Sequence, residues 1–289
     1  MSNQDQPEHH NVSFNIGPNT RYIISTSGRV TSLLRYKRLL QDHLHLDIAY
    51  LPIHSMSASD PKIDPEKFVW TLRGMPCIGG AISRDIKEAV VPFLDDIDDL
   101  AKDINSVNTI IRRGNRLKGY NTDALGFRAA ILEGVQSSGI TIKTAVVYGY
   151  GGVTNCVVSV LKSLGIEVYI TGRRQDAIEA KAAQLNIEPW TEEQKGSVDL
   201  FVNASPVTHH PLTEAVNFLT ALDGCRIAFD HEMPGVFLEE HCSREGIFLI
   251  RGTEMYLPQM VAQWGLFLDG YMDDVSQLPD IFSQIEKNS

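Results

Sequence analysis

Basic residues are scarce in this sequence. Its 289 residues include 26 Lys and Arg against 36 Asp and Glu, which gives a formal net charge of -10 at pH 7. A protein that binds nucleic acid or an anionic membrane surface needs a basic face, which such a deficit does not supply. The charge balance therefore disfavours nucleic acid and membrane as partners and favours a small-molecule substrate.

Cysteine is also scarce, and its spacing carries no metal-binding or disulfide motif. The four cysteines lie far apart along the chain and form no CxxC pair: Cys77, Cys156, Cys225 and Cys242. Zinc sites and disulfide frameworks are recognised by closely spaced or paired cysteines. We therefore expect no metal centre, and thiols that stay reduced and serve the structure.

Long apolar segments are missing as well. No run approaches the roughly 18 apolar residues that read as a membrane span, and the polar start MSNQDQPEHHNVSFNIGPN lacks the apolar region of a secretory signal. At 43% hydrophobic residues the chain can still bury a large core in one or two domains. These features predict a cytoplasmic globular protein.

The sequence does contain a regular alternation of strand-like and helix-like segments. The first half alternates RYIIST, DIAYLPI and CIGGAIS, which are typical of strands, with the helical patterns SLLRYKRLLQDHL, DPEKFVWTLRGM and IKEAVVPFLDDI. VNTIIRRGNRLKGYN predicts a β-hairpin, a helix follows from Asp123, and QSSG is typical of a linker. A second series, from KTAVVYG to IFLIRG, leads into a long apolar helix that begins near Thr253.

This alternation predicts an α/β protein with two lobes. We expect an N-terminal α/β substrate-binding domain over residues 20–127, completed by C-terminal helices within 253–289, and a Rossmann-like dinucleotide-binding domain over 138–252. In such folds the ligand site is expected in the cleft between the lobes.

A glycine-rich loop indicates the cofactor. Gly149, Gly151 and Gly152 follow a predicted strand and open a predicted helix, the setting in which a backbone can approach a pyrophosphate at a helix N-terminus. The alternative is a tight strand-to-helix turn. The next strand ends in Thr-Gly-Arg173-Arg174 rather than in an acid, which favours NADP because arginine suits a 2′-phosphate. NAD stays open, and so does a pair of solvated surface arginines.

The segment KGYNTDALGF raises the question of why a carboxylate, Asp123, precedes an apolar helix. Helix capping is one answer. However, GYNTDALGF also resembles the G-x-N-T-D-x-x-G-F signature of the shikimate and quinate dehydrogenase family. SVNTII is similar to the family's A-V-N-T segment, SRDIKEAV falls where it has T-x-P-x-K-E-A-V, and VDLFVNASP and MYLPQMVAQ match later segments in order.

The resemblance implies that Lys87 and Asp123 are the catalytic pair, facing each other across the cleft. They would transfer a proton during reversible, NADP-dependent oxidation of a ring hydroxyl of shikimate or a related hydroxylated cyclic carboxylic acid, a step of aromatic amino acid biosynthesis. A group that removes the hydroxyl proton while hydride leaves the same carbon is what such a reaction requires. The alternative for Lys87 is a surface ion pair with a neighbouring acid.

The same resemblance implies the remaining site residues. Asn108 and Gln259 match positions that contact substrate, Ser83 is assigned to the substrate site, and Gly252 is assigned to the cofactor site. Where the family's own substrate motif is missing, Thr31 offers a hydroxyl, as do Ser32, Ser25 and Ser27. Asn108 could instead satisfy backbone groups of the hairpin, and Gln259 could face solvent. No residue is expected to bind metal.

Departures from the family pattern concern the substrate pocket. The family's S-x-S grip on the substrate carboxylate is missing from STSGRVTSLLRYK, where Arg29 could replace it. Ala81 replaces a pocket asparagine, and Glu232 lies where the family has Tyr-Asn-Pro. These changes are similar to the divergent shikimate dehydrogenase-like branch. They leave open a ligand-sensing protein with little or no turnover, and the chain could be a monomer or a homodimer.

Overall fold

The computed structural model describes residues 12–26, 30–53, 63–83, 86–206, 217–232 and 236–287. The strands run β1 Arg21–Ser25, β2 Ile48–Pro52, β3 Cys77–Ala81, β4 Asp96–Ile97, β5 Thr109–Arg113, β6 Arg116–Tyr120, β7 Thr144–Tyr148, β8 Glu167–Thr171, β9 Glu188–Pro189, β10 Leu200–Asn203, β11 Ile227–Asp230 and β12 Phe248–Arg251.

The α-helices are α1 Val30–Lys37, α2 Pro65–Gly74, α3 Asp99–Ile104, α4 Thr122–Ser138, α5 Gly152–Ser163, α6 Gln175–Leu185, α7 Phe218–Leu222, α8 Val236–Glu245, α9 Tyr256–Leu268 and α10 Leu278–Lys287. A π-helical segment, Arg38–His43, continues α1, and 3-10 turns span Val91–Phe93, Glu192–Gln194, Gly252–Met255 and Val275–Gln277.

The chain forms two compact units, one made of residues 1–121 and 263–289 and the other of residues 122–262. The predicted α/β fold class is therefore confirmed. The division differs in detail from the predicted ranges 20–127, 138–252 and 253–289. All of α4 and the first half of α9 belong to the second unit.

The first unit is built on a mixed six-stranded sheet with the order β2-β1-β3-β5-β6-β4. β1 is parallel to β2 and β3, β5 is antiparallel to β3 and β6, and β4 is parallel to β6. The predicted hairpin is β5–β6, and its turn contains Gly114 with a φ of 61°, a conformation that glycine adopts readily. On one side, Tyr36 of α1 packs against Trp264 of α9, with ring centroids 4.7 Å apart.

The second unit is a parallel six-stranded sheet with the order β12-β11-β10-β7-β8-β9. Its central strands are buried on both faces, as in doubly wound sheets flanked by helices. The chain builds outward from β7 to β9 in one direction and from β10 to β12 in the other. Consequently the topological switch point, where such sheets bind ligands, lies between β7 and β10.

Two local predictions were wrong. IKEAVVPFLDDI forms a series of turns and a single 3-10 turn rather than a helix, because Pro92 has no N–H to donate and its ring blocks the preceding turn. QSSG is not a linker: α4 continues to Ser138 and ends at Gly139, whose φ is 67°.

The side chains of all four cysteines are buried. Burial raises the pKa of Cys77 to about 11 and those of Cys225 and Cys242 to about 12. Within the described residues, no helix is long and apolar enough to span a bilayer. Nor do three or more His, Cys, Asp or Glu side chains of the described ranges cluster as metal ligands would.

Candidate active site

In the second unit, the predicted cofactor residues all lie at the carboxyl ends of the parallel strands. Gly149 follows β7, Arg173 and Arg174 follow β8, and Gly252 follows β12. The N–H of Gly149 donates to the carbonyl of Thr171 at 2.9 Å, so the glycine loop and the arginine pair are neighbours. The structure thus brings together residues that are about 24 positions apart in the sequence.

Gly149 cannot be replaced without strain. Its φ is 126°, and a Cβ atom at this position would lie 2.9 Å from the carbonyl oxygen of Ala204, which follows β10. The Oγ1 of Thr154, in the first turn of α5, donates to the Gly149 carbonyl at 3.0 Å. The backbone at the switch point is therefore fixed by the close approach of β7 and β10.

Gly151 and Gly152 differ from Gly149 in that space lies open around them. A Cβ atom on either would meet no other atom within 4 Å, and both residues are exposed at the N-terminus of α5. The first N–H groups of a helix have no partner within the helix and attract anions. This open, donor-rich helix start fits the pyrophosphate of a dinucleotide.

The two arginines after β8 have different surroundings. Arg174 is exposed, its guanidinium lies 5.5 Å from the ring centroid of Tyr150, and it pairs loosely with Asp176 at 3.9 Å. Arg173 is half-buried and close enough to Tyr148 to lower that phenol's pKa, although burial dominates and raises it to about 12. β8 thus ends in two cations without a carboxylate at the position where NAD-specific sites have one.

Gly252 is a packing position. A Cβ atom there would lie 2.5 Å from the carbonyl oxygen of Asp230, so only glycine lets the turn after β12 lie against the end of β11.

Asp123 lies in the first turn of α4, which starts one residue earlier at Thr122. Asp123 is therefore a residue of the helix itself, and it does not occupy the N-cap position that was one alternative from the sequence. A carboxylate in a first turn is stabilised by the helix dipole. One turn later, Phe127 packs against His231, which follows β11, with ring centroids 5.4 Å apart.

The imidazole of His231 is an unpredicted neighbour of Asp123. Its Nε2 atom is buried and, among the described residues, has no hydrogen-bond partner. Burial lowers the pKa of His231 to about 4, while the Asp123 carboxylate acts in the opposite direction. His231 is thus a neutral ring beside Asp123 at neutral pH.

Gln259 packs against the same helix. A Cβ atom added to Gly126 would lie only 2.7 Å from the Cβ atom of Gln259. The absence of a side chain at Gly126 therefore allows α9 to approach α4 closely. Gln259 is half-buried.

In the first unit, Ser83, Lys87 and Asn108 are brought together by backbone hydrogen bonds. The N–H of Ile82 donates to the carbonyl of Asn108 at 2.8 Å, and the N–H of Val107 donates to the carbonyl of Lys87 at 2.9 Å. Lys87 is half-buried, and Asn108 is only 2% exposed. Ala81, the last residue of β3, pairs with Thr109, the first residue of β5. Ser83, Lys87 and Asn108 therefore lie at the edge of the sheet formed by these strand ends.

Thr26 is a residue of this edge that sequence reasoning missed. Its Oγ1 accepts a hydrogen bond from the N–H of Ser83 at 2.7 Å and lies 2.9 Å from the Ser83 hydroxyl. Thr26 directly follows β1, a signal that could have selected it over Thr31. The backbone of Thr31 lies in α1, but its side chain and all of Arg29 are outside the described residues.

Gln263 was also missed. Its Nε2 donates to the hydroxyl of Thr109 at 2.8 Å, and that hydroxyl donates to Oδ1 of Asn108 at 2.8 Å. Gln263 is four residues after Gln259 and hence on the same side of α9. This hydrogen-bonded chain fixes the orientation of the Asn108 amide.

Curated relatives are similar over much of the chain. A protein of Maridesulfovibrio salexigens named shikimate dehydrogenase (NADP(+)) is 28% identical over 222 residues, which cover 73% of this chain and 80% of the relative. A protein of the same name from Bacillus cereus is 29% identical over 183 residues, covering 60% of this chain and 64% of its own length. No protein-family model matches the sequence.

Solved structures share the fold. Shikimate 5-dehydrogenase of Thermus thermophilus, in complex with NADP(H) and shikimate, superposes with a TM-score of 0.65 at 24% identity, covering 92% of this chain and 99% of that one. Quinate dehydrogenase of Corynebacterium glutamicum, in complex with NAD, gives 0.73 at 21% identity, covering 92% and 98%. The chain is thus similar in sequence to proteins named shikimate dehydrogenase (NADP(+)), and it shares its fold with solved shikimate and quinate dehydrogenases, in agreement with the resemblance that its motifs indicate.

Proposed function

We propose that the chain catalyses the reversible, NADP-dependent oxidation of a ring hydroxyl of shikimate, or of a related hydroxylated cyclic carboxylic acid, to the ketone. Its relatives indicate the class of reaction, an NADP-dependent oxidoreductase that acts on CH–OH. The product or substrate would belong to aromatic amino acid biosynthesis. That the protein is cytoplasmic, and that it acts as a monomer or homodimer, remain predictions.

The observation that carries this proposal is the arrangement at the switch point of the parallel sheet. An open helix N-terminus at Gly151 and Gly152 lies beside the turn that holds Arg173 and Arg174. The first suits a pyrophosphate and the second a 2′-phosphate, so both anionic groups of NADP have a matching site. Bound NADP supplies the hydride acceptor for the reaction.

Lys87 and Asp123 are proposed as the proton-transfer pair, on the strength of the matching motifs. In the oxidation, Lys87 would take the proton of the substrate hydroxyl as hydride leaves the same carbon, and in the reverse direction it would return a proton to the ketone oxygen. Asp123 is proposed as the carboxylate member of this pair. The carbonyl of Lys87 accepts a backbone hydrogen bond from Val107, and Asp123 lies in the first turn of α4.

Substrate binding is proposed to use hydroxyl and amide side chains. Asn108 and Ser83 supply an amide and a hydroxyl at one sheet edge, and Thr26 extends this set. Gln259 remains a proposed contact from the motif match, and Thr31 remains one because of its hydroxyl. Because Asn108 is buried, a hydrogen bond between its amide and a substrate hydroxyl would contribute to discrimination against analogues that lack this hydroxyl.

The test is hydride transfer by the purified full chain with shikimate, quinate and aminoshikimate, each with NADP and with NAD, followed by the absorbance of the reduced cofactor. We expect turnover with at least one substrate and a preference for NADP. If no substrate turns over while calorimetry detects tight ligand binding, the alternative of a ligand-sensing protein replaces the enzyme.

A further inference from the structure

A cavity of about 620 Å³ in the first unit lies away from the candidate active-site residues. It is lined by the segment before β1, the end of α2, the start of β3 and the end of β5, which contribute Arg21, Arg73 and Arg112. A neighbouring depression shares Arg21, Arg112 and Gly114 and adds Arg113, Asp269, Gly270 and Tyr271. This size is within the range of small-molecule sites.

The position of the cavity separates it from the candidate active site. The cavity lies where β1 and β3 begin, whereas Thr26 and Ser83 follow the opposite ends of these parallel strands. Each strand has five residues, so the two edges are about 15 Å apart at roughly 3.3 Å per residue. A ligand in the cavity would therefore not be the molecule oxidised at the other edge.

The lining is basic, although the chain carries a net charge of -10. Four arginines and a single carboxylate, that of Asp269, line the two depressions. Arg73 is neutralised by Asp95 at 3.0 Å and Arg113 by Asp269 at 2.8 Å. The other two arginines form no ion pair with any residue in the described ranges.

Arg112 is held in place by neutral oxygens alone. Its Nη1 donates to the carbonyls of Leu72 and Met75 at 2.9 and 2.7 Å, and its Nε donates to the carbonyl of Gly114 at 3.0 Å. These bonds fix the plane of the guanidinium and leave its charge without a counterion from the described chain. A preorganised guanidinium loses little side-chain entropy when it binds an anion.

Arg21 is the second cation without a carboxylate partner. It is exposed, and its Nη1 donates to the hydroxyl of Tyr271 at 2.9 Å. Arg21 and Arg112 both line the two depressions and so lie where these meet. Met75, Pro76 and Ile78 supply an apolar wall beside them.

We propose that this cavity, defined by Arg21 and Arg112, is a second binding site that takes a small, multiply charged oxyanion, either a phosphate compound or a polycarboxylate. Two guanidinium groups match the oxygen pairs of such a ligand, and the apolar wall accommodates its carbon skeleton. Small anions that bind here would do so independently of the proposed dehydrogenase reaction.

The test is isothermal titration of the full chain with inorganic phosphate and, separately, with citrate, at constant ionic strength maintained with sodium chloride. We expect saturable binding of at least one of the two with a stoichiometry of one, and the better probe identifies the oxyanion class. Arg21→Gln should weaken this binding about tenfold, since it removes one of the two charge-assisted contacts to the anion, and Arg21→Glu should abolish it.

Two control variants separate this site from other anion sites. Arg116→Gln removes an exposed arginine on β6 outside both depressions and should leave binding unchanged. Arg173→Gln alters the proposed NADP site and should also leave it unchanged. The proposal is overturned if the wild type shows no saturable binding, or if Arg173→Gln abolishes the binding and the Arg21 variants retain it.

Discussion

The side-chain amide of Asn203 donates a hydrogen bond of 2.8 Å to Oδ1 of Asp230, which links the carboxyl ends of β10 and β11. Both residues are almost fully buried, at 1% and 3% exposure. The same oxygen accepts from the N–H of Glu232, whereas Oδ2 of Asp230 is buried without a hydrogen-bond partner in the described chain. This carboxylate therefore destabilises the sheet in its ionised form.

Asp230→Asn is expected to raise the melting temperature at pH 8. Burial raises the pKa of Asp230, so the native state binds a proton at a higher pH than the unfolded state does. Above this raised pKa the buried carboxylate is ionised and lowers the stability of the native state. As the pH falls through this pKa, the carboxylate is protonated and the destabilisation disappears. The gain from the substitution should consequently shrink between pH 8 and pH 4 in thermal scans. Asp223→Asn, at an exposed site in the same unit, should show no such trend.

His231 has the opposite proton linkage. Burial lowers its pKa from 6.5 to about 4, so that between these values the unfolded state binds a proton that the native state does not. Above pH 6.5 this difference in protonation costs the native state nothing. As the pH falls from 6.5 toward 4, the free energy of unfolding decreases by up to roughly 3 kcal/mol. Denaturant unfolding should show that His231→Phe loses less stability than the wild type between pH 7 and pH 5.

His241→Phe is the matched control for His231, because it removes a histidine from α8 in the same unit. It should keep the pH dependence of the wild type. Equal slopes for the wild type and His231→Phe would show that the imidazole of His231 titrates in the native state as it does in the unfolded state.

Gly149→Ala and Gly151→Ala should separate folding from cofactor binding. A Cβ atom on Gly149 would approach the Ala204 carbonyl at a φ of 126°, and we expect a loss of about 1 to 3 kcal/mol in the free energy of unfolding. A Cβ atom on Gly151 has open space, so stability should change by less than about 0.5 kcal/mol. Its NADP affinity should nevertheless fall, because the Cβ atom would occupy the space proposed for the pyrophosphate. Full NADP affinity in Gly151→Ala would contradict this placement.

Arg173→Ala should weaken NADP binding and spare NAD. The guanidinium is proposed to pair with the 2′-phosphate, which NAD lacks. Fluorescence or calorimetric titration with both cofactors measures the effect, with Arg128→Ala on the exposed side of α4 as the control. Equal losses for the two cofactors would refute contact with the 2′-phosphate.

Much of the fold could be predicted from local patterns. Segments such as KTAVVYG and VNTIIRRGNRLKGYN became β7 and the β5–β6 hairpin because their strand and turn chemistry is encoded in neighbouring residues. The helix predicted over IKEAVVPFLDDI does not form, although the apolar residues have helical spacing. Pro92 prevents it, because the proline lacks an N–H donor and its ring clashes with the preceding turn. Predicted helical residues 212–216 lie outside the described part, and α7 covers the end of that segment.

The candidate site could be predicted only where a motif marks it. Gly149, Arg173 and Asn108 stand in recognisable segments. Thr26, Gln263 and His231 depend on hydrogen bonds or ring contacts between distant parts of the chain, such as Thr26 with Ser83 and His231 with Phe127. No local spacing encodes these contacts.

The central claim is that Lys87 and Asp123 transfer the proton in a dehydrogenase reaction, and the kcat of Lys87→Ala and Asp123→Asn tests it most directly. With the substrate and cofactor found most active for the wild type, each variant should lose a factor of about 10² or more in kcat. Circular dichroism should show an unchanged fold, and the exposed controls Lys102→Ala and Asp103→Asn should keep wild-type activity. A wild-type kcat in either Lys87→Ala or Asp123→Asn would contradict the assignment.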